Sequence, residues 1–165
     1  MALSPRALGL LVAAGAFAVD QASKYWFLHV YELGAREPLR LTPFLDLVLA
    51  WNPGVSYSLF RAEGPLGRIA LMGVAALGVL ALAVWLWRSH DRLSTVSLGL
   101  IIGGALGNAL DRLNYGAVAD FLHFHTPFPA GPFANYVFNA ADVAIVAGVV
   151  LLLYETLFAR QQAPA

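Results

Sequence analysis

Cysteine is absent from the 165 residues. That absence removes disulfides, thiolate metal sites and a cysteine nucleophile together, and it leaves the redox compartment undetermined. Charge is also scarce: Asp, Glu, Lys and Arg make up 12% of the chain, where soluble domains carry about 25%. Formal net charge is zero, so there is no basic surface to recruit a nucleic acid. No internal repeat or low-complexity tract occurs, and only the tail RQQAPA (160–165) reads as disordered. A GxSxG serine-hydrolase elbow is missing. The run His123-Phe124-His125 invites a zinc reading, but no third ligand and no HExxH pattern follows, so no metal is expected.

Apolar residues fill the space that charge leaves, at 59% of the chain with a mean hydropathy of +0.68. About 20 helical residues cross a hydrocarbon core of ~30 Å. Four stretches qualify, at about 7–28, 66–87, 93–113 and 137–158. Trp26, Trp85, Trp87 and Tyr154 stand near their ends, where amphipathic rings favour the interface. The first stretch has a competing reading as a cleavable leader, since Arg6 precedes it and small-residue patterns follow. Apolar character resumes after Asp20, however, with Tyr25, Trp26, Phe27 and Leu28. The chain is thus expected to be one membrane-embedded domain over residues 1–165. Its class is an all-α polytopic membrane protein of four transmembrane helices, with a small extracytoplasmic β-sheet platform and an outer loop or helix.

Orientation follows from the short loops. Arg6, Arg88, Arg92 and Arg160 flank the ends that would lie together, whereas 114–136 holds no Lys or Arg. The positive-inside rule places both termini in the cytoplasm. The outer loop 29–65 is β-rich: LDLVLAW reads as a strand, NPG as a turn, and VSYSLF as β-friendly again. A second outer loop runs over 114–136.

Mapped by depth, the polar residues converge. Asp20 and Lys24 fall late in the first span; Asn108, Asp111 and Arg112 fall late in the third. Asn139 and Asp142 fall early in the fourth, and Asp120 lies in the loop between. Gly104, Asn108 and Arg112 share one helix face, Asp20 and Lys24 are an i, i+4 pair, and Gly103, Gly104 and Gly107 permit close helix approach. Ionisable groups at membrane depth normally face a bundle interior and mark a functional site. Bland readings stand beside these: a structural Asp20–Lys24 pair, a snorkelling Arg112, a solvated Asp120. Glu32, Glu37, Asp46 and Glu63 read as solvated loop charges. Two carboxylates facing each other at low dielectric cannot both ionise easily. One can then take a proton from water while the other donates to a carbonyl or leaving amine. Asp120 and Asp142 are the natural pair.

DQASK (20–24), NPGVSYSLF (52–60), GGALGNALDR (103–112), VADF (118–121) and FNAAD (138–142) resemble, in order, the five motifs of the lipoprotein signal peptidases, the signal peptidase II family. The resemblance implies an aspartyl endopeptidase of the bacterial inner membrane. Such an enzyme cleaves the signal peptide from a prolipoprotein just before a cysteine that carries a diacylglyceryl group. It implies Asp120 and Asp142 as catalytic residues. It also implies Asp20, Lys24, Asn52, Gly54, Gly104, Asn108, Arg112 and Asn139 as substrate-binding or supporting positions. Lipid-modified prolipoprotein and membrane lipid are the implied partners; no cofactor and no nucleic acid is implied, and a monomer is expected. The active site would face the outer leaflet. The implied β-sheet platform and mobile outer helix or loop would be roughly residues 35–62 and 113–135. Ser56 and Tyr57 depart from the Ala-Phe that often follows the family's turn, and 125–136 is a candidate lid. The alternative is a small proton- or ion-coupled transporter, which buried Asp, Lys and Arg would also suit.

Overall fold

The computed structural model describes residues 3–54, 64–126 and 135–159. Four long helices carry the chain. The first, α1 (Pro5–Tyr25), starts where Ser4 Oγ accepts the Ala7 N–H at 3.3 Å, with proline in the first turn, where a missing N–H costs nothing. It runs into a π-helical turn at Trp26–Val30. The second, α2, spans Gly64–Arg88. The third, α3 (Arg92–Tyr115), is capped by Asp91 Oδ2, which accepts the Ser94 N–H at 2.7 Å. It stops at Gly116, whose φ of 75° turns the chain out of the helix. The fourth, α4 (Ala140–Tyr154), opens on a capping box between Asn139 and Asp142 and ends in a π-helical turn at Glu155–Ala159.

Among the described residues, three segments are long and apolar enough to cross a membrane: Ile69–Arg88, Arg92–Tyr115 and Ala140–Phe158. The outward faces of α2 and α4 are apolar and uncovered, with Leu66, Ile69, Val74, Leu77, Val146 and Val150 among the exposed side chains. That is what a lipid-facing surface requires. Helix α1 matches the others in length, but Arg6, Asp20, Gln21 and Lys24 lower its hydropathy.

The central helix is α3. Helix α1 runs parallel to it, since Leu3 and Gly9 lie against Arg92 and Thr95 at one end and Asp20 lies against Gly107 at the other. Helix α4 runs antiparallel: Gly104 faces Ala141 and Ile145, while Ser94 meets Glu155. An apolar core of Ala13, Leu86, Leu98 and Ile102 joins α1, α2 and α3.

The sheet is an antiparallel meander ordered β1-β2-β3-β4. Its strands are β1 (Leu39–Thr42), β2 (Leu45–Asn52), β3 (Val118–His125) and β4 (Asn135–Phe138). Leu33, Leu47 and Phe121 form a second core beneath it, backed by Phe27 and Tyr31 from the end of α1. Several expectations change here. The outer loop 114–136 contains strand β3, which pairs with β2 from the other outer loop, Ala50 opposite Asp120 and Asn52 opposite Val118. Residues 137–139 do not begin the last helix. Val137 and Phe138 pair with His123 and Leu122, and Asn139 caps, so α4 begins at Ala140. Within 35–54 the chain is mainly strand. Asp46 is not a solvated charge: it lies largely covered and meets Arg40 Nε at 3.6 Å and His125 Nε2 at 3.0 Å. VSYSLF with Ser56 and Tyr57, Glu63, the lid segment's 127–134 and the tail 160–165 lie outside the described residues.

Candidate active site

The polar groups from the four segments meet in one buried network between the two apolar cores. Lys24 is its centre. Its ammonium donates to Asp20 Oδ2 at 2.8 Å and Asn108 Oδ1 at 3.0 Å, and pairs with Asp111 Oδ2 at 2.9 Å. Three acceptors for three N–H bonds leave the buried cation satisfied. The other oxygen of Asp20 accepts the Ala141 N–H at 3.0 Å, so a carboxylate of α1 sits on the N-terminus of α4. Gln21 closes the cluster, donating to Asp20 Oδ2, to the Gly107 carbonyl and to Asp111 Oδ1.

Glycine makes the approach possible. A Cβ on Gly107 would collide with the Asp20 carboxylate, and one on Gly104 would stand 2.5 Å from the Ala141 carbonyl oxygen. Both positions are closed to any side chain while α1 and α4 keep this distance from α3.

Asp120 and Asp142 reach a common cavity of about 300 Å³, also lined by Asn52, Ala105, Asn108 and Arg112. Asn139 ties the two carboxylates together. Its side-chain amide donates to Asp120 Oδ1 at 2.6 Å, its backbone N–H donates to Asp142 Oδ2 at 3.1 Å, and its Oδ1 accepts the Asp142 N–H at 3.1 Å. Asn108 donates to Asp142 Oδ1 at 3.0 Å, and Asn52 to Asp120 Oδ2 at 3.3 Å. Burial pushes the Asp120 carboxyl up from its usual 3.8 to about 7, with the negative field of Asp142 adding to it. Hydrogen bonds from Asn52 and Asn139 and the charge of Lys24 oppose the rise. Arg112 anchors the β2 turn through Nη2 to the Gly54 carbonyl at 2.6 Å and bonds its own helix at Asn108 O, while Nε is buried with no protein partner among the described residues. Gly54 in turn donates its N–H to Asn52 Oδ1 at 3.1 Å.

All ten residues singled out in the sequence thus fall in or against this one network. Gln21, which the network also needs, was not singled out. Asp111 was noted, as the alternative to Arg112 on the Gly104–Asn108 face, but without a role; its donors Gln21, Lys24 and Ala119 N–H come from elsewhere in the chain. His123 and His125 turn away from the cavity, bonding Asn135 and Asp46. Among the described residues no three His, Asp or Glu side chains gather in a metal-holding group.

The helices, the sheet that roofs one end of them and the cavity with its two carboxylates define a helical membrane protein with a polar site at one end. The fold agrees. One solved bacterial membrane enzyme superposes with a TM-score of 0.75 at 23% identity over 95% of this chain and 93% of the other. A second gives 0.73 at 24% identity, covering 91% and 92%. The family is then settled by sequence: residues 12–158 match the model for signal peptidase (SPase) II, and the chain belongs to that family of peptidases. The lipoprotein signal peptidase of Methylocella silvestris is 55% identical over 98% of this chain and 92% of its own length. That of Nitrobacter hamburgensis is 50% identical over 99% of both.

Proposed function

We propose that this chain is an aspartyl endopeptidase that removes signal peptides from diacylglyceryl-modified prolipoproteins, with Asp120 and Asp142 as the catalytic pair. The observation that carries the reading is the sharing of one cavity by a buried carboxylate, Asp120, and a half-buried one, Asp142, linked through Asn139. The pair holds one proton. Its ionised member takes a proton from water, whose oxygen attacks the carbonyl carbon before the lipidated cysteine. The protonated member donates to the carbonyl oxygen, giving a gem-diol. The proton taken from water then passes to the departing amine as the C–N bond breaks, while a diol hydroxyl returns its proton to the member that donated it, so the pair again holds one proton. The titration belongs to the pair, so neither aspartate is fixed as base. Asn108, Asn139 and Asn52 orient the carboxylates; Arg112 and Gly54 hold the strand end against the cavity.

Helix α1 is the fourth span in this reading. It runs parallel to α3, from the level of Arg92 to that of Asp111, so it crosses whatever thickness α3 crosses. Its polar residues are turned inward onto Asn108 and Asp111 rather than to lipid. The domain is then a single four-helix unit in the bacterial inner membrane, with both termini cytoplasmic and the cavity near the outer leaflet. A groove lined by Tyr136, Phe138, Val143, Val146 and Ala147 also reaches Asp142, giving apolar substrate a lateral path to the pair. Ion transport gains no support: beyond the Ser94–Glu155 bond, the buried hydroxyls of Thr95 and Ser97 donate to carbonyls of their own helix, and between them and the site α3 buries Leu98, Gly99, Ile102 and Gly103.

Purified protein in lipid, given a diacylglyceryl prolipoprotein and its unlipidated counterpart, tests the reading. Only the lipidated form should be cleaved, and Asp120→Asn and Asp142→Asn should each lose at least about 10³-fold in kcat while remaining folded. Cleavage at the wild-type rate by either folded variant would remove that residue from the catalytic pair.

A further inference from the structure

The edge of β3 is covered unequally. On one side β2 pairs with it as far as Val118, opposite Asn52. On the other, β4 pairs only from Leu122 to His125, because at Asn139 the chain leaves the sheet to start α4. The strand that carries Asp120 is therefore open along its second edge at the residue just before that aspartate. Ala119 is almost fully buried, and both its backbone groups face this gap. A buried backbone N–H with no partner is costly, so something must stand where β4 does not.

Two side chains do. Asp111 Oδ2, from the last turns of α3, accepts the Ala119 N–H at 3.1 Å, and Asn139 Nδ2 donates to the Ala119 carbonyl at 3.4 Å. Asp111 is itself 1% exposed and held from two more directions, by Lys24 Nζ at 2.9 Å and Gln21 Nε2 at 3.3 Å. Lys24 also holds Asp20, whose second oxygen receives the first turn of α4, the helix of Asp142. One ammonium thus ties the strand of one aspartate and the helix of the other to a common point. Asp111 does not line the cavity.

We propose that Asp111 is a positioning residue for Asp120: its carboxylate substitutes for the absent strand neighbour at Ala119 and so fixes the direction in which Asp120 enters the cavity. The proposal rests on the catalytic reading of Asp120. Misaiming a catalytic group by about 1 Å can cost on the order of 100-fold in rate while substrate binding is little changed.

The test uses the full chain in lipid or detergent, with hydrogen exchange of the peptide containing Ala119 read beside cleavage kinetics. Asp111→Ala should speed exchange at Ala119, leave residues 122–125 protected, and lower kcat by about 30- to 100-fold with KM within about threefold. Asp111→Asn keeps an acceptor oxygen in place; it should restore protection at Ala119 and recover at least about tenfold of the lost kcat. A residue that merely stabilises the fold would move neither the kcat-to-KM split nor the exchange at that one amide. Wild-type kcat in Asp111→Ala would overturn the proposal, as would an Asn variant as inactive as the Ala variant. Should the Ala variant not fold, loss of Ala119 protection in a fully active Asn variant would overturn it equally. Asp120→Asn is assayed alongside: if it cleaves normally the catalytic reading fails, while the exchange at Ala119 still reports whether Asp111 holds that amide.

Discussion

In the proposed mechanism Asp120 faces two opposing demands. It must be dry enough to share a proton with Asp142, yet it must keep acceptors satisfied in both protonation states. Asn52 and Asn139 serve the second demand, since an amide N–H can donate to either form, more strongly to the carboxylate. The first is met by burial, which with Asp142 lifts the Asp120 carboxyl to about 7. The sign of the consequence follows from proton counting. Between 3.8 and about 7 the folded protein holds a proton that the unfolded chain has released. This group's contribution to stability is therefore present below 3.8 and is lost as pH rises through the window to about 7. Asp120→Asn should flatten that part of the stability profile, which chemical denaturation at stepped pH measures. Catalysis by a singly protonated pair should likewise decline as pH rises through about 7. An unchanged stability profile in the Asn variant would mean that Asp120 titrates as an ordinary exposed carboxyl.

At the level of elements, legibility depended on whether the cause was local. Helices announced themselves because long apolar runs are their own evidence, but the fourth span was read from 137 where α4 begins at Ala140, and the caps at Ser4, Asp91 and Asn139 did not announce themselves. Strand β3 did not, although VADFLHFH contains Val and Phe. Its pairing partner β2 lies some seventy residues earlier in the other loop, and half of its other edge is closed by side chains rather than by a strand. The convergence of Asp20, Lys24, Asn108, Asn139 and Asp142 was readable from helix direction alone; the hub position of Lys24 and the recruitment of Asp111 and Gln21 were not, since these are contacts between helix faces. Glycine spacing was readable as close packing, and the structure makes it position-specific. Gly104→Ala and Gly107→Ala should each lower thermal stability, by about 1–3 kcal/mol as overpacked contacts do, and Gly107→Ala should also reduce activity by displacing Asp20. Gly73 of α2 has nothing within 4 Å of an added Cβ. Gly73→Ala should therefore leave stability unchanged or raise it by about 0.5–1 kcal/mol through helix propensity. Equal losses at all three sites in a thermal-shift series would contradict the packing described.

The whole molecule is organised by an asymmetry between its ends. At one end Leu3 accepts from Arg92, Arg6 reaches His90 at 3.4 Å, and only short connections occur. At the other end the sheet and every member of the Lys24 network are gathered. Because α1 and α3 are parallel, the N-terminus and the turn near His90 must lie on one side of the membrane and the sheet on the other. In the proposed orientation Arg6, Arg88 and Arg92 put the first of these on the cytoplasmic side, against Arg36 and Arg40 on the other. The cysteine-free sequence lets this be measured directly, since any introduced thiol is the only one. In intact spheroplasts an impermeant maleimide should label Thr42→Cys in β1 and should reach Leu3→Cys and His90→Cys only after the membrane is opened. Labelling of Leu3→Cys together with Thr42→Cys would show that α1 does not cross; labelling of Leu3→Cys and His90→Cys without Thr42→Cys would invert the molecule. The expected pattern puts the cavity, with its apolar groove along α4, at the outer leaflet. A substrate anchored there by its lipid and its signal helix can then reach Asp142 sideways, without leaving the bilayer, and that geometry explains why so much charge is placed at one end of so apolar a chain.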